Sequence, residues 1–531
     1  MAENTLVVVA RPEWVPGGSP WWSTCKVTLL NLTDAAVVNP YISFKVGPKQ
    51  VLLNNHGLDW TRKGDTVSGY LVPERQVIPP RSSREFRLSV QGTGQSQGPL
   101  PSRFTVNGKP ADPPEDHEPP SMPRRVRASL VGSRLITLDW DASRDNVAVA
   151  GYRVSFSAGE GGEVYTLTTA RPSVTIAGLA SATEYRISVV AFDVSDNPSK
   201  PSDGVKVRTG PPLPDMGDWD VSKAPFLDFT AWPTPKVARF ARETRLDGFI
   251  LGFLSARRGG DKTLCWGGND LVVDAEDGRS FSGNATVSDY GKKDLQEFRK
   301  QGGKVVLSLG GTASGVPLEA EETDVARLVA CYAAVLRNYE VRHLDFSFES
   351  SFLHDEEGLE RHVSAMSQLL AVYPTLKLSY SLPVDGAPGS LVGFNDEGVR
   401  LLRRLASAGI EPSLINGMLM EFGLAAPRDA FDCCVHALEG MHAHIAAAFP
   451  HWGTEKVWRR MGACPMFGRH INGREFTLDH QRKLADFARK HQLGCLSGWE
   501  VTMDGRQGRL DFCKCIAARG PGTPDEELAA G

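Results

Sequence analysis

The segment 341–349, VRHLDFSFE, carries polar, chemistry-bearing side chains at every second position: Asp345, Ser347 and Glu349, with Leu344, Phe346 and Phe348 between them. In an extended strand this alternation puts the polar groups on one face and the apolar ones on the other. Two carboxylates and a hydroxyl in one row are residue types that suit proton transfer. Carboxylates in a core are costly unless they are hydrogen-bonded or put to use. Glu349, at the strand's C-terminal end, stands where parallel barrels keep their reacting groups.

Such a strand needs neighbours on both sides. From about Ser222 onward, apolar runs at 226–230, 248–254, 304–309, 341–349, 376–382, 414–422, 460–466 and 494–501 alternate with amphipathic stretches such as 321–339 and 357–373. Eight such repeats in about 300 residues predict a (β/α)8 TIM barrel over residues 222–518. Its helices take the aromatic face of 341–349, and its axis takes the acidic face.

The rest of the 531-residue chain reads as all-β. Period-two alternation (Val27/Leu29, Ile42/Phe44/Val46, Phe86/Leu88/Val90) predicts a β-sandwich over 1–108, and Ile136/Leu138/Trp140 with Tyr185/Ile187/Val189 predicts a second over 123–209. Between them, residues 109–122 are rich in proline and acid, the composition of an extended solvated linker, and 519–531 reads as a flexible tail. Trp14, Trp21, Trp22 and Trp60 are dense for the first sandwich; they either fill its core or form a sugar-stacking face.

A net charge of -4, without a Lys/Arg run, gives no footprint for nucleic acid, and no apolar run reaches the roughly 20 residues of a membrane helix. Nine cysteines without zinc-finger spacing read as reduced thiols; Cys433, Cys434, His436, His442 and His444 do not make a zinc pattern, and no metal or cofactor is expected. Residues 1–14 show no secretory leader, so the expectation is a cytoplasmic chain, or one exported without a leader and extracellular if it acts on a polymer.

Three resemblances add to this reading. Segment one, with WSTCKVTLLNLTDAAVVNPYISFKV and LDWTRKGDTVSGY, resembles the family 2 carbohydrate-binding modules, and segment two, with LDWDASRDNVAVAGYRV and GLASATEYRISVVAFDVSDNPS, resembles a bacterial fibronectin type III domain. Segment three resembles the family 18 glycoside hydrolases, the chitinase family, through KVVLSLGG, DFSFE, LKLSYSLPVD, INGMLMEFG, VWRRMGACPMFG and GCLSGWEVTMD.

The last resemblance implies substrate-assisted hydrolysis of β-1,4-linked N-acetylglucosamine polymers such as chitin. Glu349 would be acid then base, Asp345 its buried partner, and Trp499 the floor under the reacting sugar. Met418, Met420, Glu421, Phe422, Trp232 and Trp266 would line the subsites. The family's middle Asp is Ser347 here, its Asp-Tyr is Glu421-Phe422, and Arg469-His470 and Met503 are further departures. Ser347 and Phe422 therefore support an alternative, a chitin-binding protein that grips oligosaccharide without turnover. A barrel serving only as scaffold for an unknown protein partner is the third reading.

Overall fold

In the computed structural model the described residues are 8–14, 22–47, 50–72, 76–91, 99–113, 115–213, 215–257, 262–276, 278–311, 315–388, 392–423, 426–505 and 509–523. They fall into two units. One is chiefly residues up to Gly210 and the other chiefly Pro211 onward.

In the second unit, the buried apolar runs of the sequence become eight strands. They are β1 (Phe226–Asp228), β2 (Gly248–Ala256), β3 (Lys304–Gly310), β4 (His343–Ser347), β5 (Lys377–Asp385), β6 (Leu414–Leu419), β7 (Met461–Pro465) and β8 (Cys495–Leu496). They pair in chain order, every pair parallel. A parallel bridge from Lys223 to Leu496, with Ala224 N–H donating to Leu496 O at 3.2 Å and Leu496 N–H to Ser222 O at 2.8 Å, joins β8 to the chain entering β1. A helix follows each strand: α1 (Val237–Thr244), α2 (Lys292–Lys300), α3 (Val325–Tyr339), α4 (Glu356–Val372), α5 (Asp396–Ala408), α6 (Ala430–Ala448), α7 (Leu478–Lys490) and α8 (Asp511–Arg519). Short polar caps start them where the sequence supplies an acceptor: Asp324 accepts from Ala326 N–H, Asn395 from Gly398 N–H and Asp429 from Phe431 N–H. The barrel-like unit is the one expected, but β4 ends at Ser347 rather than at Glu349. Glu349 lies past the strand, in extended backbone ahead of a 3-10 turn, Ser350–His354.

The first unit holds two pairs of antiparallel sheets. Four strands including Trp22–Asn31 and Ser83–Gln91 face five including Tyr41–Lys45 and Thr66–Leu71, and Val27, Phe44, Phe86 and Phe104 from both sheets share one core. Beyond it, Leu135–Asp141 lies in a three-stranded sheet and Val149–Ala158 and Glu184–Asp193 in a four-stranded one, with Trp140 against Tyr152 in the core.

In the proline-rich stretch Lys109–Pro110 pairs with 105–106, and Ala111 and Asp116 are buried, while most of its other described residues are exposed. Val9, Leu30 and Leu32 of the first sandwich pack with Ala150, Phe192 and Val194 of the second in one buried cluster.

Candidate active site

Asp345 is fully buried in β4, and its carboxylate is caged by hydroxyls from three strands. Ser308 of β3 donates to Oδ2 at 2.6 Å, and Ser379 and Ser381 of β5 donate to Oδ1 at 2.7 and 2.8 Å. Ser347 donates to Oδ2 at 3.1 Å and lies 3.1 Å from the Ser308 hydroxyl. Strand register brings them together, because Asp345 pairs with Ser308 on one side and Ser379 on the other. Burial nevertheless pushes the Asp345 carboxyl above its ordinary value, against the pull of the four hydroxyls. The cage continues to β6, where Asn416 donates to Ser381 at 3.1 Å. Ser308, Ser379 and Ser381 are the candidate site residues that sequence reasoning missed. Their trace is visible as polar residues in core strands, at alternate positions of LKLSYSL and one position of KVVLSLG.

The opposite face of β4 meets the helices. Phe346 packs against His362 and Tyr380 at 4.5 and 5.5 Å between ring centroids, and Phe348 packs against His362 and Phe352 at 4.9 and 4.6 Å. His362 is held from both sides, with Nδ1 2.7 Å from Glu319 and Nε2 2.8 Å from the Tyr380 hydroxyl. This clamp fixes the rotation of the strand and hence the direction of Asp345 and Ser347.

Glycines let the end of β3 pass close above the same place. Gly310 and Gly311 take φ of +99° and +71°, and Gly311 N–H donates to Ser347 O at 3.0 Å. A Cβ on Gly310 would come within 2.4 Å of that carbonyl, so a side chain there is excluded by geometry as well as by φ.

Glu349 is half-buried, and its side chain does not cap the turn that follows. Trp499, past β8, is also half-buried. Its ring stacks on Phe253 at 5.4 Å and an interplanar angle of 19°, and tilts on Phe226 at 5.8 Å. Met420 packs against the same cluster, and Met418, two residues earlier, is half-buried in β6. Asp345, Ser347, Glu349, Trp499, Met418 and Met420 thus stand in, or just past, the parallel strands.

Other expected site residues do not join them. Trp266 is fully buried; its indole N–H donates to the Tyr339 hydroxyl at 2.7 Å and its ring packs on Phe229 and Tyr290, so it has no face to offer a sugar. Trp266→Phe should accordingly cost about 1–3 kcal/mol of stability with KM unchanged, checked by thermal melting alongside kinetics.

Glu421 is exposed, and its carboxylate accepts from Ile471 and Asn472 N–H at 2.7 and 3.1 Å. It staples a neighbouring loop. Phe422 is buried, so the apolar ring at that position is a packing element. Trp232 is 72% exposed on the loop after β1.

Among the tryptophans of the first sandwich, Trp60 packs against the core with its indole nitrogen out of contact with solvent, which favours the core role. Trp14 and Trp22 lie in strands, with their side chains outside the described residues, and Trp21 lies wholly outside them. Among the described residues no helix is long and apolar enough to cross a membrane.

Residues 121–205 match the fibronectin type III domain model. The chain is 26% identical over 294 residues to the probable bifunctional chitinase/lysozyme of Escherichia coli (strain K12), covering 53% of this chain and 30% of that protein. It is 25% identical over 294 residues to endochitinase 11 of Metarhizium anisopliae, covering 53% of this chain and 52% of that one. The catalytic domain of a hyperthermophilic chitinase from Pyrococcus furiosus is similar at 20% identity and a TM-score of 0.47, covering 60% of this chain and 98% of that domain. The chain thus spans about half or less of the length of these curated relatives.

Proposed function

We propose, from the premise that this is a family 18 chitinase-like chain carrying a fibronectin type III domain, that its barrel-like unit hydrolyses β-1,4-linked N-acetylglucosamine chains with the help of the substrate's own acetamide. The observation that carries this reading is the hydroxyl cage. Four donors hold one buried carboxylate, Asp345, in the strand that leads to Glu349.

In the proposed reaction Glu349 gives its proton to the glycosidic oxygen as the C1–O bond breaks. The acetamide oxygen of the same sugar forms the new bond to C1, giving an oxazolinium ion. The Glu349 carboxylate then takes a proton from water, which attacks C1 and reopens the ring with net retention. Asp345, whose charge is penalised by burial, supplies a tunable negative group behind Ser347. Trp499 forms the floor under the sugar. Trp499→Ala should raise KM about tenfold, the equivalent of roughly 1.4 kcal/mol of lost ring contact, with a smaller effect on kcat; initial rates over a range of chitotetraose concentrations check this.

The second reading, an oligosaccharide-binding protein without turnover, is favoured by Ser347, which brings no charge to the developing cation. A time course of chitotetraose with purified protein separates the two. Release of shorter oligomers supports hydrolysis, and saturable binding of intact tetramer without product supports the second reading.

A further inference from the structure

Three aspartates converge in the first unit, outside the candidate active site. Asp116 follows the first sandwich, Asp145 lies in the loop between Leu135–Asp141 and Val149–Ala158, and Asp193 ends the strand Glu184–Asp193. One ligand oxygen from each lies within 4.8 Å of the other two. That is the span of oxygens arranged around one cation bound at about 2.4 Å.

Neutral N–H donors hold the carboxylates in place. Asn146 Nδ2 and Glu118 N–H donate to Asp116 Oδ1, each at 3.0 Å. Val147 and Ala148 N–H donate to Asp145 Oδ2 at 2.9 and 2.8 Å, and Ser195 and Asn197 N–H donate to Asp193 Oδ1, each at 2.8 Å. Asn197 Nδ2 bridges Asp193 Oδ2 at 2.7 Å and the Asp116 carbonyl at 2.9 Å.

Two oxygens are left over. Among the described residues Asp116 Oδ2 and Asp145 Oδ1 are shut off from solvent and have no hydrogen-bond partner, and Asp116 as a whole is only 8% exposed. Among the described residues none of the three carboxylates forms an ion pair; Arg11 and Arg153 both pair with Asp196 instead. Three acids packed this closely, with two buried oxygens unsatisfied and no ion pair among the described residues, are a costly arrangement for a protein to keep on its own.

We propose that Asp116, Asp145 and Asp193 bind one divalent cation of the calcium class. The donor set is all oxygen, as hard cations require, and it lacks the nitrogen or sulfur that would select zinc or copper. Waters and backbone carbonyls complete the coordination. Asp116 comes from the segment after the first sandwich, and the other two come from the fibronectin type III module. The cation therefore braces the junction that the cluster of Val9, Leu30, Leu32, Ala150, Phe192 and Val194 already packs.

The test uses the full chain, stripped with a chelator, dialysed, and titrated with calcium chloride in a calorimeter, with thermal unfolding followed in parallel. One Ca²⁺ per chain should bind with a Kd of about 10⁻⁵–10⁻⁴ M. At about 100 times Kd the unfolding transition of the first unit should rise by about 5–10 °C. Asp145→Asn keeps an acceptor for Val147 and Ala148 while removing one charge. It should abolish both the binding heat and the calcium-dependent rise, and its metal-free midpoint should equal or exceed the parent's because repulsion is relieved. No saturable uptake by the parent up to about 10 mM, well above the Kd range of such sites, would overturn the proposal. So would an undiminished calcium response in a folded Asp145→Asn variant.

Discussion

Glu349→Gln should lower chitotetraose hydrolysis by about 10²–10⁴-fold while leaving affinity for the intact tetramer within about twofold. Glutamine keeps the size and much of the hydrogen bonding of the acid but has no proton to give the leaving oxygen. The other carboxylates named for the site cannot replace it. Asp345 is fully buried and surrounded by four serine hydroxyls, and Glu421 is committed to the 471–472 amides. The backbone is extended at residue 349, and glutamine matches glutamate there in size and shape, so the substitution should leave the fold intact. A variant that hydrolyses at the parent's rate would remove Glu349 from the reaction.

Ser347→Asp should raise kcat by about one to three powers of ten, the usual size of a single preorganised electrostatic stabiliser. The position is 1% exposed, and the native hydroxyl stands 3.1 Å from both Asp345 Oδ2 and the Ser308 hydroxyl. A second carboxylate here faces the first at close range, so the two titrate as a pair and share a proton. Asp345, already raised by burial, is suited to hold that proton, which leaves the introduced group charged beneath the oxazolinium. The opposing effect is the cost of a further buried charge. Initial rates and thermal midpoints together decide between them: a rate gain with the midpoint preserved supports a weakened enzyme, and no gain with the midpoint preserved favours oligosaccharide binding without turnover.

Much of the barrel-like unit was legible because each parallel strand is buried on both faces, which leaves unbroken apolar runs such as GFILGFLSA, where all nine residues are buried. β4 was legible for a different reason, its period-two alternation of acid and aromatic residues. What escaped depended on contacts between distant parts of the chain. Nothing around Trp266 shows that Tyr339, on α3, will take its indole N–H. Glu421 reads as a pocket acid, yet the loop at 471–472, fifty residues on, absorbs its charge. The stretch after Lys109 has the composition of a linker and is mostly exposed, yet Ala111 and Asp116 within it are buried, and neither carries a hydrophobic pattern. The serine cage needed strand register as well as sequence, since Ser308 and Ser379 meet Asp345 only through parallel pairing of β3, β4 and β5.

Substrate-assisted hydrolysis at Glu349 is tested most directly by following chitotetraose and its fully de-N-acetylated counterpart side by side, with the product anomer read by NMR early in the time course. In the proposed mechanism the acetamide is the nucleophile, so only the acetylated tetramer should be cleaved, and its new reducing end should appear first as the β-anomer. Equal cleavage of both tetramers, or first appearance of the α-anomer, would contradict the mechanism, and binding of chitotetraose without cleavage would contradict hydrolysis itself.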